Sequence, residues 1–430
     1  MNLKRPVWAL HALIVGLALH NVVMALLWRA GVRGAALTVI AAWKDVLLLV
    51  ALALVVRARG GLPFKGSLTD WLALAFGLLV VVYGVLPQSW LGGGATHKGV
   101  LYAARHDLLP VGAYFLGRGL DLTENERARL CHTVLAVAAF VAAFGLFDVY
   151  AVPLSWWRPV GGWFHDQLGL QYFGLSDLPE NFVYNAGNGV VFRRLTSTFL
   201  SPLATAYLLV VALFFVRLRA WRGRVLALLL FAALLLTHTR SALLALVGGL
   251  VVLAIVRRSP RPLLFAVVVA VLGFAFVKSY DHIGPRTHFT KAELTQQEEN
   301  AKLHHGVSND PTAVNEASTH EHWLALREGV HTVVHHPWGF GLGNSGVTAV
   351  RTHIKPKAGE STYTELGVEL GLLGALVFVA WSLTLLRVAL VRRPWLGAAF
   401  AAVLFLGLQT DVIGVPWIAV TVWALAADDA

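Results

Sequence analysis

The chain has a single cysteine among its 430 residues, Cys131, so no disulfide can close within it. Charge is scarce as well: Asp, Glu, Lys and Arg make up 14% of the residues, against 57% apolar. A soluble protein of this length cannot hide that much apolar surface, which excludes an ordinary water-soluble enzyme. No internal repeat, low-complexity tract, soluble catalytic domain or nucleotide-binding domain interrupts the chain, and nothing in it calls for a cofactor. His320, His322, His331, His335 and His336 lie close together but carry no zinc signature such as HExxH, and no metal site is assigned to them. Acidic residues are outnumbered 24 to 35 by Lys and Arg, a formal charge of +11. With no basic soluble domain to carry that surplus, nucleic-acid binding is excluded too.

What is present is apolar sequence in long runs, near 7–28, 35–56, 68–87, 100–117, 128–152, 197–216, 222–238, 240–256, 261–278, 362–390, 396–410 and 412–427. Runs of this length predict an all-α polytopic integral membrane protein with about 12 transmembrane helices in a single membrane domain, 1–430. The first run is too long for a cleaved signal peptide and has no small-residue cleavage site, so it reads as a retained helix. Short connections rich in arginine, such as Arg57/Arg59/Lys65, Arg217–Arg224, Arg257/Arg258/Arg261 and Arg387/Arg392/Arg393, alternate with less basic ones. By the positive-inside rule both termini are then cytoplasmic, in a bacterial inner membrane, and much of the positive charge is a topology signal and a contact for anionic lipids.

Two segments on the opposite side are longer. Residues 153–196 are rich in Trp, Phe, Tyr and Gly, and Trp156, Trp157, Trp163, Phe164, Tyr172 and Phe173 are an interfacial belt, a loop core or a sugar-stacking surface. Residues 279–361 form a large polar loop holding ten of the 17 histidines. Within it 321–336 has apolar residues at helical spacing, predicting an amphipathic helix on the membrane face, stopped by Pro337 and followed by a flexible glycine-rich loop, 339–346.

Ionisable groups inside spans are costly and usually face a cavity or a site. Lys44–Asp45 and Arg105–Asp107 fall in the outer halves of two spans, roughly 13 Å and 9 Å deep at the helical rise. Each pair is a structural ion network or part of an electropositive pocket open to the outer leaflet. Arg240 sits in a short outer hairpin, THTRSA, against the topology rule, and Arg193 and Arg194 lie at the start of an outer segment. Arginines there are suited to gripping a diphosphate through paired hydrogen bonds. Glu360, where the large loop meets the next span, is either a general base or an acid favoured by the helix dipole. Tyr363, one turn on, orients a sugar or anchors at the interface.

Four segments occur in order: RRLTSTFLSP (193–202), THTRSALLAL (237–246), HHPWGFGLGNSG (335–346) and GESTYTELGVELGLLG (359–374). Together they resemble the O-antigen polymerase and O-antigen ligase superfamily of bacterial envelope glycosyltransferases. The resemblance implies a membrane-embedded site facing the periplasm, with 153–196 and 279–361 as periplasmic loops. It implies a donor glycan on undecaprenyl diphosphate, a chain-length regulator and a repeat-unit flippase as candidate partners, and contact with membrane lipids. Arg194 and Arg240 match the family's outer arginines and are expected at the lipid diphosphate, with Arg193, Lys44, Arg105, His336 and Tyr363 as further substrate contacts. The chain departs from the family at Ser197, where glycine is usual, at Leu203, and at Glu360, where ligases place a histidine; His353, seven residues earlier, replaces it if the loop folds back. These departures favour a polymerase joining repeat units, with Glu360 and Arg240 as catalytic groups. The alternative is a ligase, or a protein O-oligosaccharyltransferase, delivering the glycan to lipid A core or to protein.

Overall fold

The computed structural model describes residues 5–168, 182–185, 190–288, 290–295, 310–313, 316–358, 360–428 and 430. The helices, in chain order, are α1 Val7–Arg29, α2 Gly34–Ala41, α3 Trp43–Arg59, α4 Leu68–Val85, α5 Gln88–Leu91, α6 His97–Leu120, α7 Glu124–Ala151, α8 Gly161–Leu168 and α9 Pro202–Phe215. They continue with α10 Trp221–Leu236, α11 Arg240–Arg257, α12 Pro260–Ile283, α13 Ala317–His335, α14 Gly346–Arg351, α15 Thr362–Arg392, α16 Pro394–Leu406 and α17 Pro416–Ala427. Each of the twelve apolar runs is helical over most of its length. Among the described residues seven helices are long and apolar enough to cross a bilayer, α2 and α3 counting as one; three more apolar ones, α9, α16 and α17, are shorter. Leu49, Leu78, Leu101, Leu228, Leu264 and Leu373 stand more than 60% exposed on their outer faces, a surface that suits lipid and not water.

The centre of the bundle is α17 laid along α6, with α11 against α16 and α12, and α15 against α4. The α6–α17 crossing is close enough that a Cβ on Gly117 would sit 2.0 Å from the carbonyl of Ala424. Trp381, Trp417, Trp423 and Tyr114 are fully buried there, where large aromatic side chains supply most of the dispersion contact.

The arginine-rich helix ends converge. Arg5 donates to the carbonyl of Leu120 at 2.9 Å and pairs with Glu126, and Arg393 pairs with Glu124 at 2.8 Å. Arg127 holds Asp428, so residues near both termini share this end. Arg118 is not a solvated topology residue. It is buried against Asp70 at 2.9 Å, and Tyr114 donates to the same carboxylate at 2.6 Å. Asp70 also closes the capping box of α4 with Ser67, so one acid satisfies a helix terminus and a buried cation together.

At the opposite end a small antiparallel sheet, β1 Val183–Asn185, β2 Val191–Arg193 and β3 Arg286–Thr287, in that order, ties the first outer loop to the end of α12. Trp157, Trp163 and Phe164 are buried with Phe182 and Trp28, so this part of the aromatic segment is a loop core; Tyr172 and Phe173 lie outside the described residues. Helix α13 extends the expected 321–336 helix by a turn at its start, and Trp323, Val330 and Val334 are exposed in a stripe along it.

Among the described residues two helices are broken within the membrane region, where the sequence shows no break. Ala42 interrupts the α2–α3 span, and Gly371 takes a non-helical φ of 72° and ψ of 177° inside α15. At that break Pro337–Gly341 runs alongside: Phe340 N donates to Val368 O at 2.6 Å, Gly341 N to Glu369 O at 3.1 Å, and Leu372 N to Pro337 O at 2.7 Å. Irregular backbone is tolerated at membrane depth where other protein segments supply its hydrogen bonds.

Candidate functional site

The turn Thr237–Thr239 reverses the chain between α10 and α11. His238 takes a left-handed conformation, φ 48°, and Thr237 Oγ1 donates back to Leu234 O at 2.6 Å. The turn delivers Arg240 to the first position of α11, where the helix dipole opposes a cation. An acid compensates: Arg240 Nη2 pairs with Glu316 Oε2 at 2.7 Å and Nη1 donates to Pro311 O at 2.7 Å. Glu316 is itself the N-cap of α13, accepting from Thr319 N at 2.8 Å. One carboxylate thus anchors the large loop's helix to the hairpin arginine.

Arg194 grips the same turn from the other side. Its Nε donates to Thr237 O at 2.9 Å and its Nη2 to Thr239 Oγ1 at 3.2 Å. Burial brings its pKa down to about 10, which leaves it charged at neutral pH. His238, between the two arginines, is buried and stacks on Tyr280 at 4.2 Å. Burial first, then the charges of Arg194 and Arg240, hold its pKa at about 3, so it is neutral.

Glu360 stands half-exposed at the start of α15 and contacts His322 Nδ1 of α13. That hydrogen bond raises the His322 pKa against the opposing effect of burial. The charges acting on His322 include Arg240 and Glu316 as well as Glu360. Helix α13 thus links the turn held by Arg194 and Arg240, through its N-cap Glu316, to His322 and Glu360.

Beside it lies a polar cluster at the outer ends of α6 and α15. His106 Nδ1 meets Asp107 Oδ1 and His106 Nε2 meets Asp411 Oδ2, both at 2.7 Å. Thr362 Oγ1 accepts from Val412 N at 2.8 Å, fixing the loop that carries Asp411 to the first turn of α15. Tyr207 connects this cluster to the arginines, lying within reach of the charges of both Asp411 and Arg194. Glu369 accepts from Gly343 N at 3.0 Å and Ser345 Oγ at 2.9 Å.

The glycine-rich loop is consequently not flexible. Besides Glu369, Asn344 ties it to Gln88 Oε1 at 2.8 Å and to Gly94 N at 2.8 Å. Its glycines are needed for close approach: a Cβ on Gly339, at φ 74°, would lie 2.4 Å from the amide nitrogen of Gly371.

The ion pairs within the apolar runs are sorted differently from sequence order. Arg105 pairs with Asp45 at 2.8 Å, across helices, while Asp107 takes His106. Lys44 is buried and uses His20 Nε2 at 3.1 Å and Ala41 O at 2.9 Å. Arg193 is committed to Asp148 at 3.1 Å and to backbone carbonyls of the α7 terminus. The Tyr363 hydroxyl donates to Leu404 O at 2.7 Å, and His336 is held by Leu91 O at 3.0 Å and stacked on Phe340. His353 is exposed, with φ 60°, and no hydrogen bond joins it to Glu360 among the described residues. Glu316, His322, the His106–Asp411 pair, Arg351 and Tyr102 were not singled out as site residues.

Residues 225–379 match the family model described as O-antigen ligase. Over that stretch, about a third of the chain, the protein is similar to the O-antigen ligase family. The matched stretch holds Arg240, Glu316, His322, the glycine-rich loop and Glu360; Arg194, His106 and Asp411 lie outside it. No curated protein matches the chain.

Proposed function

We propose that the protein polymerises undecaprenyl-diphosphate-linked oligosaccharide repeat units into O-antigen or exopolysaccharide at the periplasmic face of the bacterial inner membrane. The observation that carries this reading is the patch in which Arg194 and Arg240 flank one turn and Glu360 stands beside them through His322 and Glu316. In the proposed reaction the bond between the anomeric carbon and the diphosphate oxygen breaks as an acceptor sugar hydroxyl attacks that carbon. The hydroxyl proton passes to Glu360, with His322 orienting the carboxylate, and undecaprenyl diphosphate leaves. Arg240 and Arg194 neutralise the negative charge that builds on the leaving diphosphate. Arg194 has a free donor for this, since its Nη1 makes no hydrogen bond among the described residues, whereas Arg240 would share its guanidinium between Glu316 and the phosphate.

The ligase reading is favoured by the description of the matched family, and the polymerase reading by Glu360 standing where ligases carry histidine. Purified protein given a lipid-linked repeat unit alone separates them. A ladder of products establishes polymerisation; product formed only on adding lipid A core establishes ligation and overturns the polymerase. In the same assay Arg240→Ala is expected to slow transfer by roughly 10²–10³-fold.

A further inference from the structure

A second group of cations lies around Tyr102 and Lys44, and the reaction just described gives it no task. Arg351, at the end of α14, lays its guanidinium over the Tyr102 ring at 4.5 Å. It is half-buried, yet it makes no hydrogen bond or ion pair among the described residues. Lys98 approaches the same ring at 5.5 Å. The charges of Arg105 and Arg351 both bear on buried Lys44, whose ammonium has two partners, neither of them an acid. Against Lys44, Lys98, Arg105 and Arg351 stands one carboxylate, Asp45, already paired with Arg105. Of the four only Lys44 is buried; like charges gathered without matching acids repel one another, and planar guanidinium donors held against an aromatic ring suit a phosphate.

We infer that Lys44, Arg105, Arg351 and Tyr102 form a second anion subsite that holds the diphosphate of a second lipid-linked glycan, the acceptor. The inference rests on the polymerase reading, in which two carrier-linked chains must be present at once: one loses its diphosphate, the other keeps it. The arrangement separates the two tasks. The leaving diphosphate lies at Arg194 and Arg240, while the retained one is anchored on the α3–α6 side, next to Arg105, the neighbour of His106. Arg351 comes from the short helix after the glycine-rich loop, so the fixed loop also sets the position of this cation.

Native mass spectrometry of the protein released from nanodiscs, with undecaprenyl diphosphate as the probe, counts bound carriers. Wild type is expected to hold two and Arg351→Gln one, with affinity at the lost site weakened about tenfold or more; Arg351→Lys is expected to retain part of the second site. Arg240→Ala is expected to lose the other carrier. If Arg351→Gln still holds two carriers while Arg240→Ala holds one, the second subsite is refuted and the proposed function stands. If Arg240→Ala keeps both and Arg351→Gln loses one, the leaving-group role of Arg240 fails and the subsite survives. Equal displacement of the Arg351-dependent carrier by phosphatidylglycerol would make this a bulk-lipid headgroup site and overturn the proposal.

Discussion

Glu360 carries the sharpest test at the level of single residues, because its neighbours separate chemistry from scaffolding. Glu360→Gln keeps the size of the side chain and removes the base, so transfer is expected to fall by roughly 10²–10⁴-fold with binding of the lipid-linked donor unchanged. Equal activity of the two forms would make the residue structural. His322 adds a pH signature. Its folded pKa lies above its ordinary value because of the bond to Glu360, so the protonated pair contributes fully below about pH 6.5 and is lost as pH rises through the folded value. Once the base-catalysed rise in intrinsic exchange is divided out, amide protection factors in the first turns of α13 are therefore expected to be higher at pH 6 than at pH 8.5, and this difference to vanish in His322→Gln. Arg240 was legible in sequence because an arginine in an outer hairpin breaks a rule. Its partner Glu316 was not, because 76 residues separate them and no local pattern encodes a contact across that distance. The regrouping of Lys44, Asp45, Arg105 and Asp107 has the same cause: adjacency in sequence puts side chains on different faces of a helix, while packing chooses the partner.

Among elements, the twelve apolar runs located the helices, since length and hydropathy are what the bilayer imposes, but not their ends, which differ by up to five residues, as for 197–216 against Pro202–Phe215. The breaks were invisible for the opposite reason. GLLG in 371–374 is as apolar as any span, and only the tertiary insertion of Pro337–Gly341 shows that Gly371 leaves the helix. Its φ of 72° with ψ of 177° belongs to a region nearly exclusive to glycine, costing roughly 1–3 kcal/mol for other residues. A Cβ there would also lie 2.5 Å from the carbonyl of Pro337. Gly371→Ala is expected to lower the thermal stability of the detergent-solubilised protein and to loosen the glycine-rich loop, read as faster proteolysis near 339–346. Gly248→Ala is the control: it lies in regular helix with nothing within 4 Å of the new methyl group, and is expected to leave stability unchanged or slightly raised. Equal melting of the two variants would mean that the break in α15 is not a structural requirement.

For the molecule as a whole, the two ends of the bundle differ in kind, and the sequence already contained that difference. One end gathers Arg5, Arg59, Lys65, Arg127 and Arg393 around the acids Asp121, Glu124, Glu126 and Asp428; the other gathers the hairpin arginine, the His106–Asp411 pair and the fixed glycine-rich loop. Part of the basic charge that served to read topology is spent internally, as Arg118 on Asp70 shows, yet Arg222 and its neighbours remain exposed at that end. With the basic end in the cytoplasm, as the positive-inside rule expects and the proposed function requires, a carrier diphosphate presented from the outer leaflet would meet the candidate site. Cysteine accessibility decides this. In a Cys131→Ser background, Lys355→Cys lies on the exposed surface near the site and Arg222→Cys at the opposite end. In intact cells with a permeabilised outer membrane, a membrane-impermeant maleimide is expected to label Lys355→Cys and to reach Arg222→Cys only after the inner membrane is opened. The reverse pattern would turn the patch of Arg194, Arg240 and Glu360 toward the cytoplasm, away from any glycan already flipped across the membrane, and the proposed reaction would lose its substrate.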